Sequence, residues 1–181
     1  MEFRRATRDD VPAILALANW AALHTTANFA LEPEPLAAWQ AVYDATHERH
    51  AWLVAVEDER IIGFAKTGPH RARAAYDWAI ESTVYLDEAY FGRGVGTALY
   101  ERLLAIATAQ GYVTALAGIT HGHAASEALH RKLGFVLTGV FHRVGWKFEA
   151  WHDVGYWEKL LAGAQPPSEI RSVAAVLEAE R

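Results

Sequence analysis

The chain predicts a mixed α/β fold of the α+β type, with helices flanking a central sheet, and three observations carry that expectation. Strand-like and helix-like segments follow one another as strand, two helices, three strands, helix, strand, helix and two strands. A composition of 52% hydrophobic and 22% charged residues over 181 positions is enough to bury one core. A glycine-rich loop, Gly92 to Gly96, lies between a strand and a helix, where such folds place ligand sites. The expected domain spans residues 1–161, followed by a linker and short tail helix over 162–181.

Each element has a local reason. Phe3 to Ala6 reads as a first strand. Thr7 to Asp10 then resembles a capping box, with Pro12 in the first turn of a helix whose inner stripe is Ile14, Leu15, Leu17, Ala18 and Ala21. Pro33 and Pro35 separate it from a second helix, Leu36 to Arg49. Ala51 to Val56 and Ile61 to Ala65 are predicted strands, joined as a hairpin through Asp58, Glu59 and Arg60. Trp78 to Leu86 is a longer strand. Val95, Leu99, Leu103 and Ile106 form the stripe of a helix that Gly111 can cap. Val113 to Ile119 is a strand, and Ala124 to Leu133 a helix with Gly134 at its cap. Aromatic-rich strands over Phe135 to Val144 and Val154 to Leu160 close the domain. Gln165 to Ser168 reads as a linker, and Ile170, Val173, Val176 and Leu177 as an amphipathic tail helix.

Composition also excludes functions. A net charge of -5 gives no basic field for nucleic acid or an anionic membrane. The absence of cysteine removes disulfides, thiolate zinc sites and a cysteine nucleophile. The opening MEFRRATRDD lacks the apolar core of a signal peptide, and no apolar run approaches the roughly 18 residues of a membrane helix. The expectation is a soluble, cytoplasmic protein.

Phe91 to Thr97 is the sharpest local signal. Glycines there let the backbone curl round an anion, and the following helix aims its unpaired N–H groups at it. A tight turn with a glycine cap is the plainer reading. A P-loop would need Gly-Lys-Ser/Thr, which does not follow, and a dinucleotide fingerprint would come early in the chain. In the preceding strand, alternation puts Glu81, Thr83 and Tyr85 on one face and Ile80, Ser82 and Val84 on the other. Glu81 is either a surface glutamate on an edge strand or a general base whose partial desolvation raises its pKa.

Taken together, Phe91 to Gly96 before an amphipathic helix and Leu129 to Phe135 later resemble the acetyl-CoA core of the GNAT superfamily of acetyltransferases. Glu81-Ser82-Thr83-Val84-Tyr85, Ala75 to Trp78, and Trp151-His152-Asp153-Val154-Gly155 bring the resemblance to its phosphinothricin N-acetyltransferase branch, over roughly Phe3 to Leu160. The resemblance implies the GNAT fold, acetyl-CoA as co-substrate and an amino-acid N-acetyltransferase. The pyrophosphate would sit on the amides of Gly92, Arg93, Gly94, Val95, Gly96 and Thr97, and the pantetheine arm along Val84, Tyr85 and Leu86 like an added strand. One of those amides would hold the thioester oxyanion. Glu81 would accept the amine proton. His130 stands where many members place a tyrosine that protonates the leaving thiolate; packing beneath the loop is its plainer role.

Two departures accompany the resemblance. Phe91 opens the loop where Gln or Arg is usual, and His123 replaces an asparagine near the pantetheine or phosphates. The acceptor implied is a small glutamate-like amino acid, phosphinothricin or methionine sulfoximine or sulfone. Its carboxylate would meet Arg71 and Arg73, whose plainer reading is loop charge. Phe29 would line its slot, and Ser82 and Thr83 would stand near the amine. Another small amine, a peptide N-terminus, or a non-catalytic acyl-CoA sensor are the alternatives. His121, His123, His47 and His50 lack complementary ligands, so no metal is expected. Trp146, Phe148, Trp151 and Trp157, among seven tryptophans, suggest a homodimer face or a cap over the sheet.

Overall fold

A computed structural model describes residues 1–163 and 166–180. Its elements are β1 (Glu2–Arg5), α1 (Val11–His24), α2 (Leu36–Thr46), β2 (Trp52–Glu57), β3 (Arg60–Pro69), β4 (Ala79–Leu86), α3 (Val95–Gln110), β5 (Thr114–Thr120), α4 (Ala124–Lys132), β6 (Val136–Lys147), β7 (Ala150–Leu160) and α5 (Val173–Ala179). The seven strands form one sheet in the order β1-β2-β3-β4-β5-β7-β6. Only the central β4–β5 pair is parallel. This is the mixed, mostly antiparallel sheet flanked by helices that the sequence predicts.

Strand alternation divides the core between the two faces of the sheet. Leu53, Ala55, Ala65 and Ile80 pack with Leu99, Leu103 and Ile106 of α3, while Trp52, Val54 and Phe64 pack with Ile14 and Ala18 of α1 and Tyr43 of α2. The β2–β3 hairpin turns where expected, through Asp58 and Glu59, both in the left-handed region (φ 48° and 62°). Gly111 (φ 102°) ends α3 in the same region. Before α1, the Asp10 carboxylate accepts from the Thr7 amide at 2.7 Å and pairs with Arg4 at 2.7 Å, tying the helix entry to β1.

Several boundaries differ from expectation, and β3, expected to stop at Ala65, runs on to Pro69. Helix α2 ends at Thr46 rather than Arg49, because the chain turns there to enter β2. Strands β6 and β7 run on to meet at a tight turn, Phe148 and Glu149 (φ 50° and 57°). The strand expected to stop at Val144 continues through Gly145, which is paired with His152 inside β6. The tail helix packs Val173 and Val176 into the α3 side of the core, and Arg102 of α3 pairs with Glu180. Of the expected linker, Gln165 lies outside the described residues.

The sheet's parallel pair is short, and that creates the site. Strands β4 and β5 pair only through Ala79–Glu81 and Thr114–Leu116. Beyond Glu81 they part, and the edge of β4 that would face β5 has no strand partner. No helix among the described residues is long and apolar enough to cross a membrane.

Candidate active site

The parting of β4 and β5 opens a cleft of about 90 Å³ bordered by Ser82, Val84, Ala117, His123, Ser126 and His130. The glycine loop follows β4 through one 3₁₀ turn, so the open strand edge leads directly to it. Gly92 (φ 73°) and Gly94 (φ 81°) both adopt left-handed backbone, and a Cβ at either would meet nothing within 4 Å. The loop is therefore open to close approach, beside the free amides of the first turn of α3, a geometry suited to a phosphate. Gly96 sits tighter, with a Cβ reaching 3.2 Å from Leu86, so it serves the packing of α3 on β4. Phe91 and Arg93 are exposed; Arg93 lies over the Tyr90 ring at 5.2 Å.

Adjoining this cleft, and sharing Ala27, Thr83, Tyr85, Gly118 and Thr120 with it, a cavity of about 320 Å³ is lined also by Asn28, Phe29 and Lys66. That volume is at the lower end for small-molecule sites. Its roof is the loop after α1, which three strands hold in place. Tyr85 of β4 donates to the Ala27 carbonyl at 2.9 Å, Thr120 of β5 donates to the Thr26 carbonyl, and Lys147 of β6 donates to the carbonyls of Ala22 and Asn28. Burial pushes the Tyr85 phenol up to about 12 and the Lys147 amine down from its ordinary value. Tyr85 therefore stays a neutral donor across the physiological range. Phe29 stands in the space that a Cβ on Gly145 would need, 2.4 Å from its ring, and packs near His152 with ring centroids 5.9 Å apart.

Glu81 lies on the cavity's face of β4, as alternation predicts. The strand is fourth of seven, not an edge strand, yet the Glu81 side chain is 56% exposed. Its carboxylate is open to water. A neighbour missed by sequence reasoning, His70, donates from Nδ1 to Glu81 Oε1 at 2.9 Å and meets Tyr76 edge-on. The adjoining Arg71 reaches His70 Nε2 at 3.4 Å and covers the Tyr76 ring at 5.6 Å. Arg73 is exposed at the start of the next turn and makes no side-chain hydrogen bond with a described residue. Neither arginine lines the cavity.

Ser82 corrects one expectation. Thr83 lines the cavity, but the Ser82 hydroxyl turns to the α3 side, 2.6 Å from the Tyr100 hydroxyl and 3.0 Å from the Leu116 carbonyl. Consecutive strand residues cannot share a face. Tyr100 in turn lies 3.1 Å from His130 Nε2, and His130 Nδ1 is 2.7 Å from the Ser126 carbonyl. The carbonyl accepts, so Nδ1 carries the hydrogen and Nε2 accepts from Tyr100. Burial lowers the His130 pKa and raises that of Tyr100, leaving both neutral near pH 7. His123 caps α4, its Nδ1 accepting from the Ser126 amide at 3.3 Å, which leaves Nε2 for a ligand. Tyr100 carries no signal in the sequence, since it reads as one more apolar position of α3.

Residues 14–135 match the Acetyltransferase (GNAT) family. The chain is 35% identical over 176 residues to a phosphinothricin N-acetyltransferase of Streptomyces viridochromogenes, covering 97% of this chain and 96% of that one. It is 36% identical over 152 residues to an L-methionine sulfoximine/L-methionine sulfone acetyltransferase of Pseudomonas aeruginosa, covering 82% and 88%. The crystal structure of a phosphinothricin acetyltransferase from Sinorhizobium meliloti in complex with AcCoA superposes with a TM-score of 0.89 at 30% identity, covering 93% of each chain. With the parted sheet, the glycine loop and the cavity beside β4, these similarities make the chain a member of the GNAT acetyltransferase family and an acetyl-CoA-dependent N-acetyltransferase.

Proposed function

We propose that this enzyme moves the acetyl group of acetyl-CoA to the α-amino group of a small glutamate-like amino acid, of the phosphinothricin, methionine sulfoximine or methionine sulfone type, by direct attack. One observation carries the reading: the open edge of β4 runs from the glycine loop to a cavity of amino-acid size on the Glu81 face. The names of the relatives support it.

The residues present fit acetyl-CoA. The amides of the Gly92–Thr97 segment receive the pyrophosphate, and the free edge of β4 at Val84, Tyr85 and Leu86 pairs with the pantetheine amides, with His123 alongside. Glu81, held by His70, takes the proton of the amine, directly or through a water. The amine nitrogen forms its bond to the acetyl carbon as a β4 backbone amide stabilises the oxyanion, and the carbon–sulfur bond then breaks. A thiolate resembling cysteine's, of pKa about 8.5, needs little help to leave. His130 with Tyr100 and Ser82 forms the hydrogen-bonded chain through which it regains a proton.

Arg73, with Arg71 behind it, receives the acceptor's α-carboxylate at the rim, and Phe29 and Thr83 line the slot. Of the aromatics expected on a dimer face, Trp157 is buried in the core. Trp146 of β6, Phe148 of the turn and Trp151 of β7 are exposed and, with Phe141, form the contact of a homodimer in the cytoplasm.

Thiol release from acetyl-CoA across a panel of free amino acids, their methyl esters, simple amines and peptides tests the reading. The expected pattern is preference for phosphinothricin or methionine sulfone over their esters, a gap that Arg73→Ala narrows. Preference for an uncharged amine or a peptide would replace it with a broader acetyltransferase. Binding of acetyl-CoA with no thiol release from any acceptor would point to a sensor.

A further inference from the structure

The floor of the acceptor cavity holds a charge that the transfer chemistry leaves unassigned. Lys66 is the only charged side chain in the cavity's lining among the described residues. It lies on β3, in register with Trp52 of β2 on one side and Thr83 of β4 on the other. Its Nζ rests 4.8 Å from the centre of the Trp52 ring and 5.7 Å from that of Trp39. It makes no hydrogen bond or ion pair with any described residue. Burial lowers its pKa, while the carboxylates of Glu34 and Glu81 oppose that shift from beyond salt-bridge distance. Two aromatic faces partly offset the loss of water round the ammonium, but they satisfy none of its three donors. A half-buried lysine with nothing to donate to, in the wall of a cavity, is the complement of an anion.

Its place along the sheet says which part of the acceptor that anion belongs to. Glu81 stands opposite Gly68, and the loop of Arg71 and Arg73 leaves β3 just beyond, after Pro69. Lys66 lies the other way, opposite Thr83. Two strand residues separate it from Glu81, roughly 7 Å along the strand, which is the reach of a glutamate-length side chain. An acceptor with its amine at Glu81 and its α-carboxylate toward the arginines extends its tail toward Lys66.

Resting on the amino-acid reading above, we infer that Lys66 is a specificity residue for the far end of the acceptor. It receives an anionic carboxylate or phosphinate, so the enzyme prefers amino acids with a charged tail to isosteres with a neutral sulfone or sulfoximine.

The test is steady-state kinetics of the wild type, Lys66→Met and Lys66→Arg at saturating acetyl-CoA. L-Phosphinothricin supplies the anionic tail and L-methionine sulfone a neutral tail of similar length. The wild type should favour phosphinothricin. Lys66→Met should raise the KM for phosphinothricin about 10–100-fold, as loss of a charged hydrogen bond does. The KM for methionine sulfone should stay within about threefold, that for acetyl-CoA should not move, and Lys66→Arg should keep most of the preference. Equal loss for both acceptors would place the lysine on the α-carboxylate or in the scaffold, and overturn the assignment; so would no loss for either. Should Lys66→Met fail to fold, the wild type decides alone: equal or better use of methionine sulfone overturns the lysine while leaving the amino-acid reading intact. A wild type that acetylates peptides but neither amino acid removes both.

Discussion

At the scale of single residues, exposure and hydrogen bonding decide what each candidate can do. Glu81 is accessible, accepts a hydrogen bond from His70, and lies one residue from Ser82, whose hydroxyl is spent on the opposite face. Glu81→Gln keeps the shape and removes the base. Acetyl-CoA affinity, measured by calorimetry, should be unchanged, while turnover falls about 10²–10⁴-fold. The wild-type rate should rise with pH as one group loses its proton. Full activity of the Gln variant near neutral pH would take Glu81 out of the mechanism. His70 and Lys66 were both invisible to sequence reasoning, for the same reason. One follows β3 in a loop and the other stands in mid-strand, and only the register with β4 brings them to Glu81 and Thr83.

At the scale of elements, two glycines do different work. Gly94 begins α3 in left-handed backbone with open space where a side chain would go. Gly94→Val should cost about 1–2 kcal/mol in stability, because a residue with a Cβ is strained there. It should also abolish retention on a CoA resin by filling the approach to the amides. A folded variant that still binds CoA normally would show that the diphosphate sits elsewhere. Gly145 is in mid-strand and makes room for a ring. Gly145→Ala must displace Phe29 and the roof loop, at a cost of about 1–3 kcal/mol typical of overpacking. The acceptor KM should rise and the acetyl-CoA KM should not. A parallel rise in both would mean that the roof loop supports the whole cleft instead of the acceptor alone.

At the scale of the whole molecule, buried histidines set how stability depends on pH. His50 stacks on Tyr112 with centroids 5.8 Å apart, and burial, with Arg49 and Lys66 nearby, lowers its pKa from 6.5 to about 4. His130 is shifted in the same direction by burial. A group depressed on folding binds more protons in the unfolded chain, so its stabilisation is complete above about pH 6.5 and is lost as pH falls toward 4. For His50 alone the loss reaches about 2 kcal/mol by pH 5. The Asp10 carboxylate, lowered chiefly by its hydrogen bond from Arg4, adds a loss only below the ordinary carboxylate range. Urea unfolding at pH 7.5 and pH 5 should therefore show a lower midpoint in acid, and His50→Gln should flatten the difference. An equal or higher midpoint at pH 5 would contradict the burial argument.

Local signals determined much of this protein. Hydrophobic period and glycine caps placed the strands and helices, because each depends on residues near one another in the chain. The left-handed glycines of the 92–97 loop and the face shared by Glu81, Thr83 and Tyr85 were legible for that reason. Tertiary structure decided the rest. The point at which β4 leaves β5, the burial of Tyr100 between Ser82 and His130, the withdrawal of Arg71 and Arg73 from the cavity, and the entry of Lys66 into it depend on pairings between distant segments. No window of sequence contains those pairings. Register and packing fix which side of a strand meets a neighbour, and at this site they put Lys66 in the cavity wall and leave both arginines outside its lining.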